Sequence, residues 1–270
     1  MKIPRVFLPL VLAVAVLGTA PAVHAGRSCE AHKTTPQTVE RAMVLAEKTL
    51  ASLNASGEKV VLLARAGQDL SKYGVRYSHL GLAYQVPDGQ GGMTWRVVHK
   101  LNGCGTSESA LYRQGLGEFF LDDLWRFEAA WVAPSREAQD QLLALLQDPA
   151  RLTAMHHKPY SIVSYAWGRK YQQSNQWAIE TLAAAVEPGI TTREKAQAWL
   201  QFKGYEPTAL KLGPLTRLGG RMTAANVAFD DHPNDKRFSD RIETVTVDSV
   251  FAWLQRARMT DGKPMAVVRL

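Results

Sequence analysis

The apolar residues of this chain change their spacing several times, and each change marks an element. Between positions 36 and 53 they fall at Val39, Ala42, Met43, Ala46, Leu50 and Leu53, the spacing of a helix, with Thr34 or Thr35 as its cap. Residues 54–58 interrupt that pattern, and 60–64 read as a short buried strand. A polar loop with two glycines covers 67–76. Two β-rich runs, 79–86 and 94–100, then flank Pro87-Asp88-Gly89-Gln90-Gly91-Gly92, a hairpin signal with a long turn. Antiparallel pairing of these runs brings His79 and His99 toward the same end.

Further along, the pattern predicts a helix over 111–124 and a strand over 129–132. A helix over 135–147 follows, capped by Ser135, with Ala138, Leu142, Leu145 and Leu146 facing inward. Residues 149–159 read as irregular and 160–166 as a strand. Ser174 caps a helix over 175–186, Pro188-Gly189 ends it, and Thr191 caps another over 193–203. From about 205 the chain becomes loop-rich, with Gly204, Pro207, Gly213, Pro214, Gly219 and Gly220. A strand at 243–247, a helix at 249–256 and a terminal strand at 265–270 close it. Helices alternating with short, antiparallel-looking strands argue for an α+β domain rather than a doubly wound sheet.

The start of the chain reads as an export signal over residues 1–25. Lys2 and Arg5 precede an apolar run over 6–16, broken only by Pro9, and Val23-His24-Ala25 offers a cleavage pattern. The run is too short for a stable membrane span. The mature chain, 26–270, is about 245 residues, enough for one sizeable core with a C-terminal extension from about 205. Its destination is the periplasm or the exterior of a bacterium. The formal charge is +7, and losing Lys2 and Arg5 leaves about +5. Basic residues are scattered among acidic ones without a Lys/Arg block. That distribution speaks against nucleic acid and suits a solvated surface near anionic envelope polymers.

An oxidising compartment changes the reading of Cys29 and Cys104. Paired, they close a loop of about 75 residues, worth roughly 4 kcal/mol in the chain-entropy model. The competing reading makes Cys104, in the turn-like Asn102-Gly103-Cys104-Gly105-Thr106, a reactive thiol near His99. Neither cysteine has metal-binding spacing.

Three further residues suggest acyl-transfer chemistry. His79, at a strand start, suits a proton shuttle; it equally suits a core histidine bonded to a backbone carbonyl. Ser174, at a helix start, sees unpaired amides and a partial positive charge, as a nucleophile would; it equally suits an ordinary cap. His99 suits the group that orients the base, with Asn102 as rival. Gln172 and Gln173 precede Ser174 and are placed to donate hydrogen bonds into a cleft. Tyr77, Gln173 and Asn175 are the substrate-contacting positions that accompany this set. Trp177 reads as core. In the C-terminal region, Arg217, Arg221, Asn226, Asp230, Asp231 and His232 read first as an internal salt-bridge network and second as a ligand site. Adjacent Asp231 and His232 are expected to diverge. Gly219 and Gly220 speak against a helix that would bring Arg217 and Arg221 together.

Tyr77-Ser78-His79-Leu80-Gly81-Leu82, a second strand bearing His99, and a late helix led by Ser174 together resemble the circularly permuted papain-like peptidases of the NlpC type. Several blocks resemble a bacterial family called domain of unknown function 2145. These are Arg65-Ala66-Gly67-Gln68-Asp69-Leu70 and the segments 95–102, 115–122, 171–180 and 229–233. The peptidase resemblance implies a papain-like α+β fold with His79 as base, His99 as its orienting partner and Ser174 at the position of the catalytic cysteine. It implies no cofactor or metal. The partner it suggests is an envelope peptide, a peptidoglycan fragment or an acyl substrate. Serine in place of cysteine leaves two functions side by side. One is an amide or ester hydrolase. The other is a non-catalytic peptide- or polymer-binding envelope protein.

Peptide mapping of the exported protein without reductant separates the two readings of the cysteines. A linked peptide containing Cys29 and Cys104 excludes the thiol site, whereas an alkylatable Cys104 excludes the disulfide.

Overall fold

The computed structural model of the protein describes residues 35–122 and 124–270. The export signal and Cys29 lie outside the described residues. Along the chain run α1 (Pro36–Ser56), β1 (Val60–Ala66), β2 (His79–Pro87), β3 (Met93–Asn102), β4 (Ser109–Gly115), α2 (Leu116–Phe120), β5 (Arg126–Val132), α3 (Arg136–Gln147) and α4 (Pro149–Ala154). They are followed by α5 (Ser174–Val186), α6 (Arg193–Phe202), β6 (Thr208–Lys211), α7 (Pro214–Thr223), α8 (Asn234–Arg237), β7 (Arg241–Thr244), α9 (Val247–Arg256) and β8 (Ala266–Arg269).

A six-stranded antiparallel sheet ordered β4-β3-β2-β1-β5-β8 carries the architecture, and β6 pairs with β7 in a separate ribbon. Helices cover both faces. Val60, Leu62, Leu80, Leu82, Val98 and Ala130 pack with residues of α3, α5, α6 and α9. Their neighbours Val61, Leu63, Ala83, Val97 and Ala129 pack with α1 and α2. Successive strand side chains point to opposite faces. A strand covered on both sides therefore reads as a continuous apolar run, which is what Val60-Val61-Leu62-Leu63-Ala64 is. The α+β expectation holds.

Several expected elements differ. Residues 109–115 form an edge strand on β3, leaving only the five-residue α2 of the helix expected over 111–124. Cross-strand pairing with β3 outweighs the weak helical periodicity there. Asp148 caps a short helix, α4, in the stretch expected to be irregular. Residues 160–166 form no strand. Their backbone groups bond to several different segments: Tyr160 N to Ser107 O, Ile162 N to Asn226 O, and Ala166 N to Glu243 O. Thr192, not Thr191, caps α6 by accepting from Lys195 N. Gln173, not Ser174, caps α5, its side-chain oxygen accepting from Asn175 N at 3.0 Å. The helix α7 forms through Gly219 and Gly220.

A polar network fixes where α5 begins. Glu180, fully buried, accepts from Arg193 Nε at 2.8 Å, Arg193 Nη2 at 3.2 Å, Gln197 Nε2 at 2.8 Å and Gln172 Nε2 at 2.5 Å. Arg193 also donates to the carbonyls of Gly168, Arg169 and Tyr171. A buried ion pair is costly to break because the surviving charge is stranded. Glu180→Ala is therefore expected to destabilise the fold by about 3–5 kcal/mol, read as a lower urea midpoint at unchanged slope.

Candidate functional site

A cleft of about 650 Å³ lies where the end of β1, the starts of β2 and α5, and the end of β3 converge. Arg65, Tyr77, His79, Asn102, Gln173, Ser174 and Asn175 all line it. Tyr160, Ile162, Val163, Leu212 and Phe229 supply apolar wall, and Trp125 is half exposed on the lining. Thr216 and Gly220 of α7 contribute another part of the lining.

The two histidines meet as the hairpin predicted. His79 Nε2 lies 2.8 Å from His99 Nδ1, and His99 Nε2 lies 2.8 Å from Gln114 Oε1. The Gln114 oxygen only accepts, so with the amide in this orientation His99 carries its proton on Nε2. Burial lowers the His99 pKa to about 4, aided by the Arg65 guanidinium and opposed by Gln114 and Asp122. A neutral His99 then accepts at Nδ1 from His79 Nε2–H, which puts the lone pair of a neutral His79 on Nδ1. Both rings contact Phe119, with centroids 6.0 Å and 5.2 Å away.

Gly81 makes this arrangement fit. A Cβ there would stand 2.5 Å from Val97 Cγ1, 3.2 Å from Phe119 and 3.4 Å from His99 Cβ. Arg65, opposite His79 in the β1–β2 register, lies over the Phe119 ring and donates to Phe119 O and Asp122.

Ser174 belongs to the other side of the sheet. Leu80 and Lys100 face α5, so their neighbours His79 and His99 face α2. Ser174, 5 % exposed, donates its hydroxyl to Lys100 O at 2.6 Å, and its oxygen lies 3.4 Å from Tyr160 Oη. The structure thus brings the two histidines into contact and sets Ser174 in the cleft that His79 lines, with the serine proton directed at a backbone carbonyl.

The expected contact residues divide. The Gln173 amide is spent on its cap, on Thr244 Oγ1 and on Val245 O. Gln172 is fully buried and bonded to Lys100, His157 N, Met155 O and Glu180. Neither glutamine keeps a donor for a ligand. The Tyr77 hydroxyl donates to Glu128 Oε1 at 2.5 Å, and burial with that carboxylate pushes its pKa far up. Tyr77 therefore offers a ring rather than a donor. Asn175 donates to Val245 O at 3.3 Å, while its Oδ1 has no partner among the described residues.

Sequence reasoning missed Lys100 and Gln114. Burial lowers the Lys100 pKa to about 6, with Arg193 adding to the effect and Glu180 opposing it. Its Nζ donates to His157 O at 2.6 Å and Gln172 Oε1 at 2.7 Å. Two acceptors suit the two N–H bonds of a neutral amine. A lone lysine in a β-rich run was the available signal for Lys100. Gln114 gave none while its segment read as helix.

The C-terminal residues act locally. Asp231 Oδ1 meets His232 Nδ1 at 2.9 Å, contrary to the expected divergence, and Asp231 Oδ2 accepts from Tyr165 N at 2.8 Å. Asp230 pairs with Lys170. Arg217 turns inward to Leu212 O and Arg237 O, whereas Arg221 is exposed, so the two do not share a ligand. Asn226 is buried and lines the cleft. Cys104 lies on an exposed turn, and no free cysteine occurs among the described residues.

The His99 shift fixes a pH dependence. Unfolded, the ring titrates near 6.5; folded, near 4. Between these values the unfolded chain binds a proton that the folded chain does not. Stability from this group is complete above 6.5 and is lost as pH falls toward 4. The slope difference between wild type and His99→Asn, measured by denaturation from pH 6.5 to 5, is expected to approach about 1.4 kcal/mol per pH unit.

No curated protein and no solved structure matches the chain. No comparison confirms the papain-like likeness. A sequence model described as "Uncharacterized protein conserved in bacteria (DUF2145)" matches residues 52–254. That span takes in the central sheet strands β1 to β5, the whole of α5 and the cleft, and it covers well over half of the chain. The protein is a member of the DUF2145 family of bacterial proteins.

Proposed function

We propose that this is an exported cell-envelope protein that holds a peptide or polymer segment in its cleft without turning it over. The observation that carries the reading is the commitment of Ser174. Its single proton goes to Lys100 O at 2.6 Å, and His79, which lines the same cleft, has its Nε2 on His99 Nδ1 rather than on the serine. A serine nucleophile needs its proton taken by a base during attack. The lining suits a peptide-like ligand. Tyr160, Ile162, Val163 and Phe229 supply apolar contact, and Asn102, Asn226 and Thr246 supply polar groups. Export through residues 1–25 and pairing of Cys29 with Cys104 belong to the same proposal. Among the described residues no helix is long and apolar enough to cross a membrane.

A second reading, an amide or ester hydrolase on a papain-like frame, is favoured by the His79–His99–Gln114 chain. Such a chain orients an imidazole as triads do. In that reading Ser174 leaves Lys100 O and attacks a carbonyl carbon, and His79 takes its proton. The first-turn amides hold the oxyanion, and the leaving amine or alcohol receives the proton back. Water then releases the acyl group.

Two measurements separate the readings. Calorimetry with a muropeptide is expected to show binding that weakens about tenfold in Trp125→Ala, with no product on prolonged incubation. Covalent labelling of Ser174 by a fluorophosphonate, abolished in Ser174→Ala and reduced in His79→Ala, would establish the hydrolase instead.

A further inference from the structure

The helix α7 forms one wall of the cleft and also carries a bare apolar stripe. Its inner side is Thr216 and Gly220, which line the cleft, and buried Arg217. Its outer side is Leu215, Leu218 and Met222, which are 84 %, 55 % and 77 % exposed. Positions i, i+3 and i+7 share one helix face. Arg217 donates to Arg237 O and Leu212 O, which fixes the inner side of α7 against the end of α8 and leaves the stripe outward. Three large apolar side chains of α7 thus stand outward on one stripe, a grouping that marks an interaction surface.

Charge selects the occupant. Residues 207–229 contain Lys211, Arg217 and Arg221 and no acidic residue. With Arg217 turned inward and Lys211 paired with Asp240 at 3.8 Å on the exposed surface, Arg221 is the exposed cation of α7 itself. Short helices with apolar residues on one face and basic residues beside it lie in the interface of anionic bilayers. We infer that α7 docks this protein reversibly on an anionic lipid surface, with the helix in the plane of the headgroups. The cleft wall then abuts the lipid. Docking needs no assumption about what the cleft binds.

Co-sedimentation tests the inference. The exported protein is mixed with vesicles of phosphatidylethanolamine and phosphatidylglycerol, and separately with vesicles of phosphatidylcholine alone. Partitioning is expected on the anionic vesicles and is expected to weaken as salt is raised. Leu215→Ser with Met222→Ser should reduce it about tenfold or more. Arg221→Glu should reduce it several-fold on anionic vesicles, as the loss of one lipid-facing cation predicts. Both side-chain sets are exposed, so unchanged circular dichroism and melting temperature are expected in the variants. Equal partitioning on both vesicle types, or a Leu215/Met222 variant that binds as well as wild type, overturns the inference. So does a wild-type dimer in light scattering that the same variant dissolves without any lipid binding, since the stripe then serves a second copy of the chain.

Discussion

A carboxylate with no access to water, Glu180, constrains everything around the cleft. In such a place a charge is tolerated only with full hydrogen-bond partnership. Its donors come from Gln172, Arg193 and Gln197, and each has a second duty. Arg193 gathers the carbonyls of 168, 169 and 171. Gln197 also holds Gly168 O. Gln172 turns its oxygen to Lys100 Nζ and to His157 N. The carboxylate therefore ties α5, α6, the approach to α5 and β3 into one unit. Lys100 closes the loop, because its own carbonyl receives Ser174 Oγ. The start of α5 is placed by interior electrostatics before any ligand is considered.

Sheet parity governs the rest of the site. Neighbouring residues on a strand cannot face the same way. Lys100 serves the α5 side, so His99 serves the α2 side; Leu80 and His79 divide likewise. The missing side chain of Gly81 leaves the gap beside Val97 and Phe119 in which the two rings approach. A second anchor sets the loop before β2. Burial raises the pKa of Glu128, but hydrogen bonds from Arg76, Tyr77 and Arg269 outweigh it and hold that pKa near 2. With Asp248 accepting from the amides of Arg76 and Tyr77, the loop is fastened to β5, β8 and α9. His79 enters its strand from a backbone fixed on three sides.

Much of this was legible in the residues. Helical spacing gave α1, α3 and α9, and the Asp88–Gly92 turn gave the hairpin and with it the meeting of His79 and His99. The errors share a cause. The edge strand β4 is largely exposed or half-buried, so its sequence carries little apolar alternation and its pairing with β3 reveals it. The 160–166 segment has strand composition but spends its backbone groups on distant loops. Gln173 displaced Ser174 as cap because its longer amide also reaches Thr244 and Val245. Long-range partners are invisible in a local pattern, and all three cases turn on them.

The same dependence separates the two halves of the candidate chemistry. The imidazole pair follows from a hairpin, a local feature, and it forms as spacing predicts. The serine half requires α5 to present its first residue on the side where that pair points, and the buried carboxylate of Glu180, about 80 positions beyond β3, decides otherwise. A thiol at this helix start would gain from the amide field by ionising; a hydroxyl gains mainly as a donor. Given a carbonyl at 2.6 Å, donation is what it does. The cleft keeps a mixed apolar and polar lining, and a wall in α7 whose outer face is bare. Under the proposed reading each of those features is satisfied by a ligand that simply stays.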